Sequence, residues 1–165
     1  MHPPSLEQLQ LMLAAEAAQE ILLRGIADPD ALVRRCAAEG LGHGLNGGSM
    51  GEILKALASV DPKDTHLTYV LRKSLRDQMR VKPVMDAVLA SGKWTDAEVR
   101  VLADVAIAVA TPAAAEFLLA HLERVGVAGP RAGEFARHAV RQLGPGRAAA
   151  VETLIRKLEG APLEQ

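Results

Sequence analysis

Aromatic side chains are nearly missing from this chain: one Trp, one Tyr and two Phe make up 2% of 165 residues. Strand-rich domains draw heavily on Tyr, Phe, Trp and Thr, so this shortage argues against a sheet. It also removes the stacking platforms used to hold single-stranded nucleic acid. Excess charge is missing as well. The formal net charge of −1 provides no global basic field for a nucleic-acid partner. A single cysteine, Cys36, allows no intrachain disulfide. No apolar run reaches the length of a membrane span, and Met1-His2-Pro3-Pro4 lacks the basic-then-apolar pattern of a signal peptide.

What remains is aliphatic. Residues of the apolar classes make up 49% of the chain, and the core must come from Leu, Val, Ile and Ala. Ala and Leu are strong helix formers. The length suffices for one domain with a real core. The expected fold class is therefore all-α.

Punctuation by Gly, Pro, Asp and Thr divides the chain into roughly nine helical segments: about 5–24, 29–42, 49–59, 64–80, 82–91, 95–110, 112–125, 130–143 and 146–159. Ser5-Leu6-Glu7-Gln8 and Thr95-Asp96-Ala97-Glu98 match the capping box. Thr111-Pro112 and Gly129-Pro130 put proline at a first helical position, where its missing N–H costs nothing. Gly25, Gly42, Gly92, Gly126, Gly144 and Gly160 follow periodic segments, as left-handed C-caps would. Residues 1–4 are expected to be a disordered N-terminus, 5–160 a single domain and 161–165 a C-terminal tail.

The even-numbered segments share a frame. Val33/Leu41, Leu67/Leu75, Val99/Ile107 and Phe135/Leu143 each place two large apolar residues eight apart. Each of these helices follows a marked turn: Asp28-Pro29-Asp30, Asp61-Pro62-Lys63-Asp64, Thr95-Asp96 or Gly129-Pro130. The unit is a helical hairpin in about four copies. One hairpin cannot bury its apolar face alone, so neighbours must stack.

The run from Asp28 to Gly42, DPDALVRRCAAEGLG, resembles the HEAT-repeat signature: an Asp-Pro turn, a Val-Arg pair, then small residues. That resemblance implies an α-α superhelix, a HEAT/ARM-like solenoid used as a protein-binding scaffold. The stretches Asp64–Arg72 and Leu102–Ala106 are similar to the helical-repeat segment of large secreted multidomain proteins of planctomycete-type bacteria. That likeness implies a module of a bigger protein, periplasmic or extracellular; otherwise the expected compartment is cytoplasmic.

The two ends differ. Leu6, Leu9, Leu11, Met12, Leu13, Ile21, Leu22 and Leu23 cover nearly the whole circumference of the first segment. A helix apolar all round is normally buried, so a preceding repeat or a partner is expected to cover it. In the last segment Val151, Leu154, Ile155 and Leu158 share one face, as a capping helix requires.

Candidate functional residues are few. Gly42-His43-Gly44-Leu45-Asn46-Gly47 has the letters of a dinucleotide loop, but a helix precedes it where a strand is needed. It reads as a loop between repeats. No two of His2, His43, His66, His121 and His138 have the spacing that would present a metal from one helix; His121 and His138 are expected at helix surfaces or at a hairpin interface. Cys36, three residues after Val33, is expected in the core. Trp94 is either a packing cover or an exposed anchor. No catalytic arrangement, metal ligand set or cofactor site is recognised.

The basic residues carry the main functional expectation. Arg72, Arg76 and Arg80 follow at four-residue steps, and Arg34, Arg35, Arg100, Arg137 and Arg141 lie on the other second helices. They suggest a shallow groove for an acidic peptide or protein segment, with Arg35, Arg72, Arg76, Arg80, Arg100, Arg137 and Arg141 as contacts. The competing reading is a solvated face paired with Asp77, Glu39 or Asp104. A rival function from another class is a HEAT-like lyase, a DNA-lesion enzyme or an enzyme accessory acting on a small molecule or nucleic acid. A third is a purely structural linker.

Overall fold

The computed structural model describes residues 4–44, 47–125 and 131–147, together with 149, 152, 153 and 156. Among these residues the protein is all-helical, with no strand. The helices are α1 (Leu6–Gly25), α2 (Ala31–Leu41), α3 (Met50–Ser59), α4 (Thr65–Met79), α5 (Lys82–Ala90), α6 (Asp96–Ala106), α7 (Pro112–Val125) and α8 (Ala132–Gln142), followed by a 3₁₀ turn at Pro145–Arg147. Of the predicted ninth helix, residues 149, 152, 153 and 156 are helical. Its apolar face, the cap positions Gly126, Pro130 and Gly160, and the 161–165 tail lie outside the described residues.

Local chemistry sets the helix starts. At α1 the Ser5 hydroxyl accepts from the Gln8 amide while the Gln8 side chain accepts from the Ser5 amide. Thr95 and Glu98 repeat this at α6. Each box satisfies amides that lack an intrahelical partner. Asp30 caps α2 by accepting from Leu32 and Val33, and Asp64 opens α4 by accepting from Leu67. Pro112 begins α7, and Thr111 accepts from the Ala114 amide.

The chain divides into two compact units, residues 1–78 and 79–165. In the first, α1 packs on α2, and α2 lies beside α4. Buried side chains include Ala37, Ala38, Leu41, Met50, Ile53, Leu54, Leu67, Leu71 and Leu75. In the second, α7 packs on α6, α8 and α5, around Met85, Leu102, Val105, Phe117, Leu118, Leu122 and Phe135. The core is aliphatic as expected, but Met50, Met79 and Met85 contribute to it too, and both phenylalanines are buried. No helix among the described residues is long and apolar enough to cross a membrane.

Three expectations are corrected. Cys36 is exposed, and Val33 is 42% exposed; α2 turns the face of Ala37, Ala38 and Leu41 inward instead. The first helix, for which an outside cover is expected, has no residue buried by its own chain, and Leu6, Leu11, Met12 and Leu13 all face solvent. The described glycines are not left-handed caps: Gly42 has φ −63°, and Gly47, in the loop between α2 and α3, is the one described residue of positive φ. Several glycines act through close approach. A Cβ on Gly25 would lie 2.7 Å from the Ala37 Cβ, and one on Gly40 would lie 2.7 Å from Leu22. One on Gly42 would meet Ser74 Cα at 3.1 Å.

Candidate interaction surfaces

In residues 1–78 the seam between α2 and α4 carries ordered charge. Arg34 folds back to donate to the carbonyls of Asp28 and Pro29 at 2.8 and 2.9 Å, bracing its own turn. Arg35 reaches forward to Asp64 at 3.0 Å, the residue that starts α4. The Leu67 amide holds the Asp64 carboxyl below its ordinary pKa; burial opposes this, and Arg35 adds to it. Further along, Lys73 lies 3.5 Å from Glu39 and 3.3 Å from Asp77, and Arg76 donates to Asp77 from two nitrogens at 3.0 and 2.9 Å. Burial pushes the Asp77 carboxyl up, but the hydrogen bonds from Arg76 and Lys73 outweigh it and the pKa falls.

Beneath these pairs lies a buried polar layer that sequence reasoning missed. The Ser74 hydroxyl lies within hydrogen-bond distance of the Ala38 and Val70 carbonyls. Gln78 Nε2 donates to the Leu41 carbonyl and to Ser49 Oγ, both at 2.7 Å, while Gln78 Oε1 is buried with no partner. Ser49, Ser74 and Gln78 are each at most 1% exposed. A polar residue on the inward stripe of an amphipathic helix was the available signal. Nearby, a shallow groove of about 500 Å³ runs between α1 and α2, with Ala15, Ala18, Leu22, Gly40 and Leu41 among its walls.

In residues 79–165 the pairs again cross between helices. Arg131 meets Asp104 at 2.6 Å and Glu134 at 2.9 Å. Arg124, near the end of α7, pairs with Asp96 at the start of α6, which fixes the two helices antiparallel. Arg147 pairs with Glu116 at 3.1 Å. His121 is 6% exposed and meets Phe135 edge-on at 5.8 Å, so it occupies the α7–α8 interface. Burial drives its pKa down, with Arg100 and Arg124 acting in the same direction and Asp104 against it. His138 Nε2 is 3.0 Å from the Val109 carbonyl. Trp94 is half-buried, with Lys93 Nζ 5.4 Å from its ring centroid.

The seven candidate arginines therefore divide. Arg35, Arg72 and Arg76 belong to the first unit and Arg80, Arg100, Arg137 and Arg141 to the second. Arg35 and Arg76 are held in ion pairs. Arg72 is half-buried; Arg80 is exposed one residue beyond α4; neither is a free cation. Arg100, Arg137 and Arg141 are exposed and in no ion pair among the described residues. Asp77, Glu39 and Asp104 do pair with cations, but Glu39 with Lys73 and Asp104 with Arg131. Elsewhere, His43 and His66 are exposed, and Leu45 and Asn46 of the glycine loop lie outside the described residues. No group of three or more His, Cys, Asp or Glu among the described residues is placed to hold a metal ion.

No family model matches the chain, and no curated protein or solved structure is similar to it.

Proposed function

We propose that this chain is a HEAT-like α-α superhelix of about four stacked hairpins that acts as a scaffold for protein–protein contact, as a module of a larger protein. One observation carries the reading: within each unit contacts join alternate helices, α2 to α4 and the α6 region to α8, at sequence separations between 27 and 37. Across the α2–α4 seam the paired residues are separated by 29, 34, 36 and 37 positions. Between the α6 region and α8 the separations are 27 and 29. An offset of one hairpin is what side-by-side stacking of second helices produces. The clip from Arg35 to the capping Asp64 supports it, because it ties one repeat's second helix to the next repeat's turn.

Such a scaffold recognises an extended segment through several modest contacts. The exposed arginines give the chemistry: within the second unit an acidic peptide or protein segment meets Arg137 and Arg141, one turn apart on α8, and Arg100 on α6. The test is titration of a fluorescent oligoglutamate peptide, with Arg137→Glu/Arg141→Glu beside the parent protein. Binding that weakens at least about tenfold in the double variant, and weakens with added salt, is expected. Equal affinity for both proteins, or no binding to either, contradicts the acidic-segment reading.

A further inference from the structure

The outer side of α1 carries a pattern that packing within the unit does not use. α1 turns Gln19 and Leu22 towards α2, where they are half-buried. On roughly the far side, Glu7, Gln10, Ala14, Ala17, Ile21 and Arg24 succeed one another at alternating steps of three and four, the spacing that lines residues into one seam along a helix. All six are exposed. The seam reads symmetrically about its midpoint. Ala14 and Ala17 flank the centre, Gln10 and Ile21 come next, and the acid Glu7 and the base Arg24 hold the two ends.

We infer that α1 is a self-association surface on which two copies of this chain pair their first helices antiparallel about a two-fold axis between Ala14 and Ala17. In that arrangement Glu7 of each copy faces Arg24 of the other, so both ends carry an opposite-charge contact. Ala14 meets Ala17 at the centre, where small side chains let the helix axes approach to about 8 Å. Leu6 and Leu13, 75% and 66% exposed, flank the seam and are covered by the second helix. The contact is isologous and closes on itself. A single helix pair about 30 Å long buries an area near the lower limit of specific interfaces, about 1,200 Å² in total. The dimer is therefore reversible and concentration-dependent. A mirror order of acid, small residues and base along one exposed seam is the complementarity that self-pairing requires. Leu9 and Met12 lie outside the seam and stay uncovered.

Sedimentation equilibrium of the full chain over a concentration series tests this. The parent protein is expected to fit a monomer–dimer equilibrium. Glu7→Arg alone and Arg24→Glu alone each place like charges at both ends and weaken association about tenfold or more. The double variant, and an equimolar mixture of the two single variants, restore it. Ala17→Glu abolishes it, because it puts a carboxylate against its neighbour at the tightest point. Circular dichroism checks that each variant keeps its helix content. A parent protein that stays monomeric throughout, single variants that dimerise as well as the parent, or a mixture that fails to recover association would each overturn the inference.

Discussion

His121 is a neutral ring in an apolar interface. Its Nδ1 is buried with no partner, Phe135 stands against its edge, and burial, Arg100 and Arg124 depress its pKa below 6.5. Above that value the ring is neutral in both the folded and unfolded chain. As pH falls below it, the unfolded chain takes up the proton first, so stability declines until the folded ring also protonates. Urea denaturation at pH values from about 7 down to about 5 should show this decline, at up to about 1.4 kcal/mol per pH unit. His121→Leu should flatten it over the same range, and should cost little near neutrality because the ring nitrogen it removes was unpaired. An unchanged pH slope in the variant would assign the dependence to another group.

Residue identity was also where sequence reading met its limits. A glycine after a periodic stretch reads as a cap, yet Gly42 keeps an ordinary helical φ and is there because α4 passes so close to it. Local spacing cannot reveal a neighbour that arrives from thirty residues away. Cys36 and Val33 illustrate the same point. Their spacing is helical, but which side of α2 turns inward depends on where α1 and α4 lie, and those helices select Ala37, Ala38 and Leu41.

At the scale of elements, short-range chemistry was the most legible. Capping boxes at Ser5 and Thr95, aspartates before α2 and α4, and proline at the start of α7 each act within one turn, so the sequence displays both partners. The charge pairs between helices were not legible, since Arg35 and Asp64, or Asp104 and Arg131, carry no local mark of one another. Asp64 shows how the two kinds of interaction combine. Asp30→Ala removes a cap alone and should cost about 0.5–2 kcal/mol. Asp64→Ala removes a cap and releases Arg35, so thermal unfolding should place it below Asp30→Ala in stability. Asp64→Asn keeps a capping oxygen and should fall between the parent and Asp64→Ala. Because the Asp64 and Asp77 carboxyls ionise below their ordinary value of 3.8, their stabilisation is complete above that pH and fades as pH falls through the lowered values. If Asp64→Ala proves no worse than Asp30→Ala, the Arg35 clip contributes nothing.

For the whole molecule, the all-helical character of the described residues follows from composition and period, whereas the apolar pairs eight residues apart did not all turn inward: Leu67 and Leu75 are buried but Val33 is exposed. The division of the candidate arginines was legible only in part. Asp77, beside Arg76 in the sequence, was an evident competitor for it, but a basic row read along the chain takes no account of Asp64, which opens α4 and has claimed Arg35. Arg100, Arg137 and Arg141 are the candidates in no ion pair among the described residues, a division that only packing reveals. The apolar circumference of the first helix was legible in the sequence, and it stands in solvent within the unit.

The proposed stack makes α4 and α6 neighbouring second helices, and their separation tests it most directly. Tyr69 on α4 and Arg100 on α6 are both exposed, so spin labels on Tyr69→Cys/Arg100→Cys in a Cys36→Ser background leave the core intact. Pulsed dipolar spectroscopy on labelled protein diluted with unlabelled protein reads the distance within one chain. Continuous stacking, with axes about 8–10 Å apart, predicts one narrow distribution at roughly 10–20 Å once the label arms are included. A broad distribution, or one centred well beyond about 30 Å, would mean that the hairpins do not form a single superhelix.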